Sequence, residues 1–314
     1  MRHRDRLPQL DGSLFLTDGG LETVLVFDEG LELPAFASFP LLGDDAGTQL
    51  LRRYYETYGA LARECGLGFV LESPTWRASA RWGTALGYDA DGLDAINRKA
   101  IALLDDIRTG WGEGGAPVVI SGCIGPQDDG YNPTTILSDA DAQEYHGVQI
   151  ATLADTAADM ISAITMTYAD EAIGIARAAR DAGLPVAISF TVETDGRLPS
   201  GQSLGDAIEQ VDNATASAPA YFMINCAHPT HFDDALAAGG PWLERIRGLR
   251  ANASSRSHAE LDEATELDAG DPADLGARYA DLKARMPQLS IFGGCCGTDH
   301  RHVRAVRDAC LAVD

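Results

Sequence analysis

Eight short apolar runs, each closing in a polar or glycine-rich turn, recur along the whole chain. They are "SLFLTDGG" (13–20), "GFVLESPT" (68–75), "PVVISGCIGP" (117–126), "DMISAITM" (159–166), "PVAISFTV" (185–192), "AYFMINCA" (220–227), "GLRANAS" (248–254) and "LSIFGGCCG" (289–297). Runs of this length and character suit strands buried on both faces, as in a parallel sheet. Helical patterns fall between them. In "YADEAIGIARAARDAG" Asp170 and Glu171 favour the positive helix start, and Gly183 supplies a left-handed stop. After "GCCG", Thr298 is placed to cap a helix whose apolar side carries Val303, Val306 and Cys310. Strand and helix alternating eight times over 314 residues predict a single (β/α)₈ TIM barrel domain covering 1–314. A doubly wound open sheet is the second arrangement that the alternation permits. The acidic stretch 258–276 reads as a solvated excursion and helix before the last strand.

In such a barrel the strand C-termini share one face, and that face carries the chemistry. Polar residues at those ends are Asp18, Glu72, Thr75, Cys123, Thr165, Glu193, Asn225, Cys226, Cys295 and Cys296. Cys226 ends the sixth run and the adjacent pair Cys295–Cys296 ends the eighth. Those ends lie two strand spacings apart, roughly 10 Å, which loops can close around one ion. Zinc bonds thiolate at about 2.3 Å, and a catalytic zinc keeps three protein ligands with one open position. Glycines 293, 294 and 297 would let neighbouring side chains face one centre. The other reading of the same residues is a small buried cysteine and a metal-free glycine turn. His228, His231, His300 and His302 suit supporting or surface roles, and Cys65, Cys123 and Cys310 suit packing. Were His228 or His300 a fourth ligand, the site would be a structural zinc in a binding barrel.

Charge narrows the partners. With 47 acidic against 24 basic residues the net charge is −23, which repels phosphate backbones and anionic lipid, so neither nucleic acid nor membrane is expected as a partner. "MRHRDRLPQL" lacks the apolar stretch of a secretory leader, and six scattered cysteines do not make a disulfide framework. A reduced, cytoplasmic enzyme is the expectation.

Five segments carry a likeness over nearly the whole chain: "LTDGGLET", "PTWRAS", "ISFTVETDGRLPSGQSL", "NCAHP" and "GGCCGT". With them the sequence resembles the homocysteine S-methyltransferase family. The resemblance implies a (β/α)₈ barrel with Zn²⁺ on Cys226, Cys295 and Cys296, a substrate-facing role for Asp18 and a supporting one for Asn225. It implies a small-molecule thiol acceptor and a sulfonium or betaine-type methyl donor, S-methylmethionine first. The family's glutamate-threonine pair at the end of the fourth strand reads Ile164-Thr165 here, and "LET" adds Glu22 to the first turn. Glu22, Glu72 or Glu193 is then the substitute carboxylate for the acceptor's amino group, or the acceptor is a different thiol or selenol. The "DGG" turn offers Asp18 for an ammonium and the N–H groups of Gly19 and Gly20 for a carboxylate. Trp76 or Tyr168 is placed to face a donor cation.

The chemistry follows from the ligand set. A free thiol has a pKa near 8.5 and only a small thiolate fraction at pH 7. Three cysteinates leave zinc with a net charge of −1, which favours a nucleophilic sulfur over activation of water.

Overall fold

The computed structural model describes residues 2–112 and 114–313. Eight parallel strands close into a barrel in chain order: β1 (Phe15–Leu16), β2 (Gly68–Glu72), β3 (Val118–Ile124), β4 (Met160–Met166), β5 (Val186–Phe190), β6 (Tyr221–Asn225), β7 (Ile246–Ala251) and β8 (Ile291–Gly294). Closure is direct: Phe15 pairs with Ile291 and Leu16 with Phe292. The expected barrel is therefore present, and the open sheet is not.

Helices α1 (Leu21–Thr23), α2 (Asp45–Glu64), α3 (Ala80–Ala85), α4 (Ala90–Gly110), α5 (Asp139–Ala154) and α6 (Ala169–Asp181) cover the first half. They are followed by α7 (Leu204–Thr215), α8 (Pro229–Ala237), α9 (His258–Asp262), α10 (Pro272–Arg285) and α11 (His300–Leu311). Gly183 does take a left-handed conformation after α6, at φ 70°. Before α11 the expectation fails by one residue. Asp299, not Thr298, caps the helix, accepting from the Arg301 amide. The Thr298 hydroxyl instead donates to the Cys295 carbonyl at 2.7 Å, so it holds the cysteine turn.

Alternation along each strand divides the core in two. Phe15, Val70, Val119, Met160, Ala187, Tyr221, Met223 and Ile291 pack inside the barrel. Their neighbours Leu16, Phe69, Leu71, Ile120, Ile161, Ile188, Phe222 and Phe292 pack outward under the helices. Continuing the inward series toward the strand C-termini brings a change of character. It reaches Glu72, Ser121, Ser162, Ser189, Asn225 and Arg250, all buried. Ser121 and Ser162 share a 2.7 Å hydrogen bond, and the Ser189 hydroxyl donates to Asn225 at 2.6 Å. The interior is thus an apolar plug beneath a hydrogen-bonded polar layer, and a cavity of about 400 Å³ opens above that layer. Cys310 is buried as expected, whereas Cys65 is exposed and packs in no core.

Candidate metal and substrate site

Cys226 follows β6 with φ 53°, a left-handed turn that L-residues other than glycine, Asn and Asp seldom adopt. Its amide is held by the Arg250 carbonyl at 3.2 Å. Cys295 and Cys296 follow β8 in a turn pinned from two sides. The Cys295 amide donates to Ala251 and the Cys296 carbonyl accepts from Ala253. Gly297, at φ 77°, completes the turn. Gly20 must lack a side chain, because a β-carbon there would come within 2.5 Å of the Cys295 carbonyl oxygen.

These constraints bring the three sulfurs within 4.8 Å of one another, with Cys226 and Cys296 at 3.9 Å. Three sulfurs at about 2.3 Å from a tetrahedral centre lie about 3.8 Å apart, so the spacing fits zinc. Among the described residues no fourth histidine, cysteine or carboxylate joins the group. Three donors leave one position open, the arrangement of a catalytic rather than a structural zinc. His228 caps α8, His231 bonds the Ser255 carbonyl at 2.9 Å, His302 bonds Asp299 and the Ala269 carbonyl, and His300 is exposed.

Each sulfur also has one donor from the protein. The Tyr131 hydroxyl lies 3.3 Å from Cys296, Thr165 Oγ1 3.7 Å from Cys226 and Asn225 Nδ2 3.9 Å from Cys295. Asn225 is fixed in turn, donating to Thr165 Oγ1 at 2.8 Å while its Oδ1 accepts from the Thr165 amide at 2.9 Å. Hydrogen bonds from its two neighbours lower the pKa of the Cys226 thiol, whereas accepting that role pushes Cys295 up to about 12.

Across the cavity floor stands a second cluster. Arg250, pointing inward from β7, joins Glu72 of β2 and lies 2.6 Å from Asp18 Oδ1 in the turn after β1. It also donates to the Gly294 carbonyl at 3.1 Å and the Gly19 carbonyl at 3.3 Å. Asp18 Oδ2 accepts from the Tyr54 hydroxyl at 3.0 Å. Burial raises the carboxyl pKa of both Asp18 and Glu72, and Arg250 opposes that shift.

The remaining expected residues divide. Gly19, Gly20, Glu22 and Thr165 line the cavity with the cysteines, as do Ile164 and Trp76. The Gly20 amide is not free, since it donates to the Thr298 carbonyl at 3.0 Å; this corrects the expectation that it offers an N–H to a ligand. Glu193 lies outside the cavity lining and faces His258 Nδ1 at 3.1 Å. His258 in turn donates from Nε2 to the Cys226 carbonyl at 2.6 Å, so Glu193 reaches the metal site only through the scaffold. Tyr168 is also turned away, its hydroxyl accepting from the Leu137 amide at 3.0 Å. Cys123 borders the cavity, its thiol pKa raised by burial.

Sequence reasoning missed Arg250, Tyr131 and His258. Arg250 had a signal, an arginine placed inward in a buried strand, where an unpaired charge is prohibitively costly. Tyr131, from a polar loop, and His258, the first residue of α9, stack at 4.0 Å, and no pattern marks either.

The profile of the homocysteine S-methyltransferase family matches residues 15–310. The chain belongs to that family. As a member of the homocysteine S-methyltransferases it is a methyltransferase. Solved structures agree on the fold. The homocysteine methyltransferase MmuM of Escherichia coli in its oxidised form superposes with a TM-score of 0.74 at 19% identity, covering 94% of this chain and 95% of that one. The metallated form gives 0.70 at 16% identity over 95% and 96%. Among the described residues no helix is long and apolar enough to cross a membrane.

Proposed function

We propose that this homocysteine S-methyltransferase carries zinc on Cys226, Cys295 and Cys296 and moves a methyl group from a sulfonium or betaine-type donor to the thiolate of homocysteine, giving methionine. The observation that carries the reading is the three-sulfur group, within 4.8 Å and with no fourth ligand among the described residues, on the wall of the cavity at the strand C-termini. Zinc, when bound there, supplies a centre on which an alkyl thiol loses its proton and stays a nucleophile at neutral pH.

The protein's own residues do the rest. Tyr131, Thr165 and Asn225 orient the three sulfurs and temper their charge. The acceptor's polar end falls toward Asp18, Gly19, Glu22 and Thr165, with Arg250 and Glu72 beneath. Thiolate and onium donor neutralise each other as the methyl moves, so the transition state holds less separated charge than the reactants. A cavity that keeps water out and the partners in line therefore lowers the barrier. Trp76, with Phe27 and Phe36 nearer solvent, supplies the aromatic wall for the donor. S-methylmethionine is the first donor to try.

Metal analysis of the purified, reduced protein, followed by incubation with homocysteine and S-methylmethionine, tests this. One zinc per chain and formation of methionine are expected. A chain that holds no zinc and takes up none when it is added overturns the proposal.

A further inference from the structure

An amino-acid acceptor brings an ammonium group into the cavity, and an ammonium leaving water is best met by a carboxylate that no cation of the protein already contacts. The carboxylates that line the cavity can be sorted on that criterion. Asp18 and Glu72 share Arg250. Asp129 lies 3.9 Å from Arg77 and is half exposed, and Asp268 faces Arg256 at 3.3 Å. Glu266 is exposed to solvent.

Glu22 differs from all of these. Its Oε1 accepts from the Ser38 hydroxyl at 2.8 Å, and among the described residues no lysine, arginine or histidine pairs with it within 4.0 Å. Arg77 borders the same cavity, but its guanidinium is held by the Asp128 carbonyl and lies over the rings of Trp76 and Trp82 at 4.1 and 3.6 Å. Desolvation, opposed mainly by the Ser38 hydrogen bond, pushes the Glu22 carboxyl up to about 7, so its charge is held at a cost that a contacting cation would lower.

The position is rigid and close to the metal ligands. Glu22 sits in α1 between Leu21 and Thr23, and Thr23 Oγ1 accepts from the amide of Gly297, the residue after Cys296, at 3.2 Å. The Gly20 amide donates to Thr298. The first-strand turn and the cysteine turn therefore move as one body, which fixes the distance between Glu22 and any thiol held at the sulfurs. On the facing wall, where a carboxylate could otherwise stand, Ile164 presents an apolar side chain.

We infer that Glu22 is the specificity residue that binds the α-ammonium of the acceptor amino acid, from the wall opposite the apolar Ile164. This rests on the proposed thiol methylation and names the group that selects its acceptor. Two acceptors test it: homocysteine, and 4-sulfanylbutanoate, which has the same thiol and carboxylate but a hydrogen in place of the ammonium. With S-methylmethionine as donor, Glu22→Gln is expected to raise KM for homocysteine about ten- to a hundredfold, the loss of one charged hydrogen bond, with kcat changed far less. KM for 4-sulfanylbutanoate should stay within twofold. Calorimetric titration with methionine, the product bearing the same ammonium, should show the same weakening without turnover.

Glu22→Asp carries the test if the glutamine variant does not fold, since a withdrawn carboxylate weakens homocysteine alone. In the Glu22→Gln background, Ile164→Glu returns a carboxylate to the facing wall and should recover homocysteine affinity. An unchanged homocysteine KM in active Glu22→Gln enzyme overturns the assignment and leaves the methyltransferase reading standing. So does an equal loss with both acceptors, or a wild-type preference for 4-sulfanylbutanoate. A zinc-loaded wild-type chain that methylates neither acceptor from S-methylmethionine, S-adenosylmethionine or betaine sinks both.

Discussion

Two clusters face each other across the floor of the cavity, and they are built on opposite logic. In the cluster of Asp18, Arg250 and Glu72 every group has a partner: the two carboxylates share the one guanidinium, and Asp18 accepts from Tyr54 as well. Cys226, Cys295 and Cys296 are left open, three sulfurs within 4.8 Å of one another with one hydroxyl or amide neighbour each and no cation. A buried polar group that is fully matched rigidifies what surrounds it, while one that is unmatched waits for a ligand. The difference separates scaffold from function: the arginine bridge ties β1, β2 and β7 together, and the sulfur group awaits a cation.

The sharpest way to break that contrast is to damage one cluster and watch the other. Cys226→Ser removes one of three ligands and is expected to abolish methyl transfer and stoichiometric zinc. Its stability in urea without metal should stay within about 1 kcal/mol of the parent, because no buried charge loses a partner. Normal turnover by this variant would take Cys226 out of the site. A collapse in metal-free stability would make the sulfurs part of the scaffold and erase the contrast.

Arg250→Met is the converse. It strands two buried carboxylates, and breaking a buried pair by removing one partner costs about 3–5 kcal/mol. Burial already raises the pKa of Asp18 and Glu72, with Arg250 opposing; without the arginine both rise further. The unfolded chain then loses its protons at lower pH than the folded one, so the deficit grows as pH rises and shrinks as pH falls and the carboxyls become neutral. Urea midpoints at pH 5 and pH 8 should show a clearly larger loss at pH 8. Equal losses at both values would mean that packing, not charge, is what Arg250 contributes.

The contrast also explains what the sequence could disclose. The barrel was legible because every strand is a buried apolar run whose inward and outward residues obey the same alternation, from Phe15 and Leu16 to Ile291 and Phe292. The sulfur group was legible in part: strand ends in a barrel converge, which allowed Cys226 and Cys295–Cys296 to meet, and the family resemblance chose that reading over a metal-free turn. The arginine bridge was not, since nothing in "GLRANAS" says which carboxylates lie across the barrel from Arg250. Asp18 was expected to stand ready for an ammonium, and in the structure both its oxygens have partners; that leaves Glu22, one turn on, as the unmatched carboxylate. Glu193 was placed at the cavity by its strand end, yet the loop carries it outward to His258. Loop side chains such as Tyr131 depend on contacts 165 residues away, which no local pattern records.

Tyr131 supplies the finest test of the division. Its hydroxyl meets Cys296, while its ring stacks on His258 at 4.0 Å, and His258 braces the Cys226 carbonyl. Tyr131→Phe keeps the ring and removes only the donor to sulfur. If that donor serves the open cluster, zinc affinity measured against a competing chelator should fall about tenfold, at the lower end of what supporting hydrogen bonds contribute to metal sites. Stability without metal should move by less than about 0.5 kcal/mol, because the hydroxyl has a sulfur and not a scaffold group as its partner. An unchanged zinc affinity with a clear loss of metal-free stability would place Tyr131 with Arg250, on the scaffold side of the cavity.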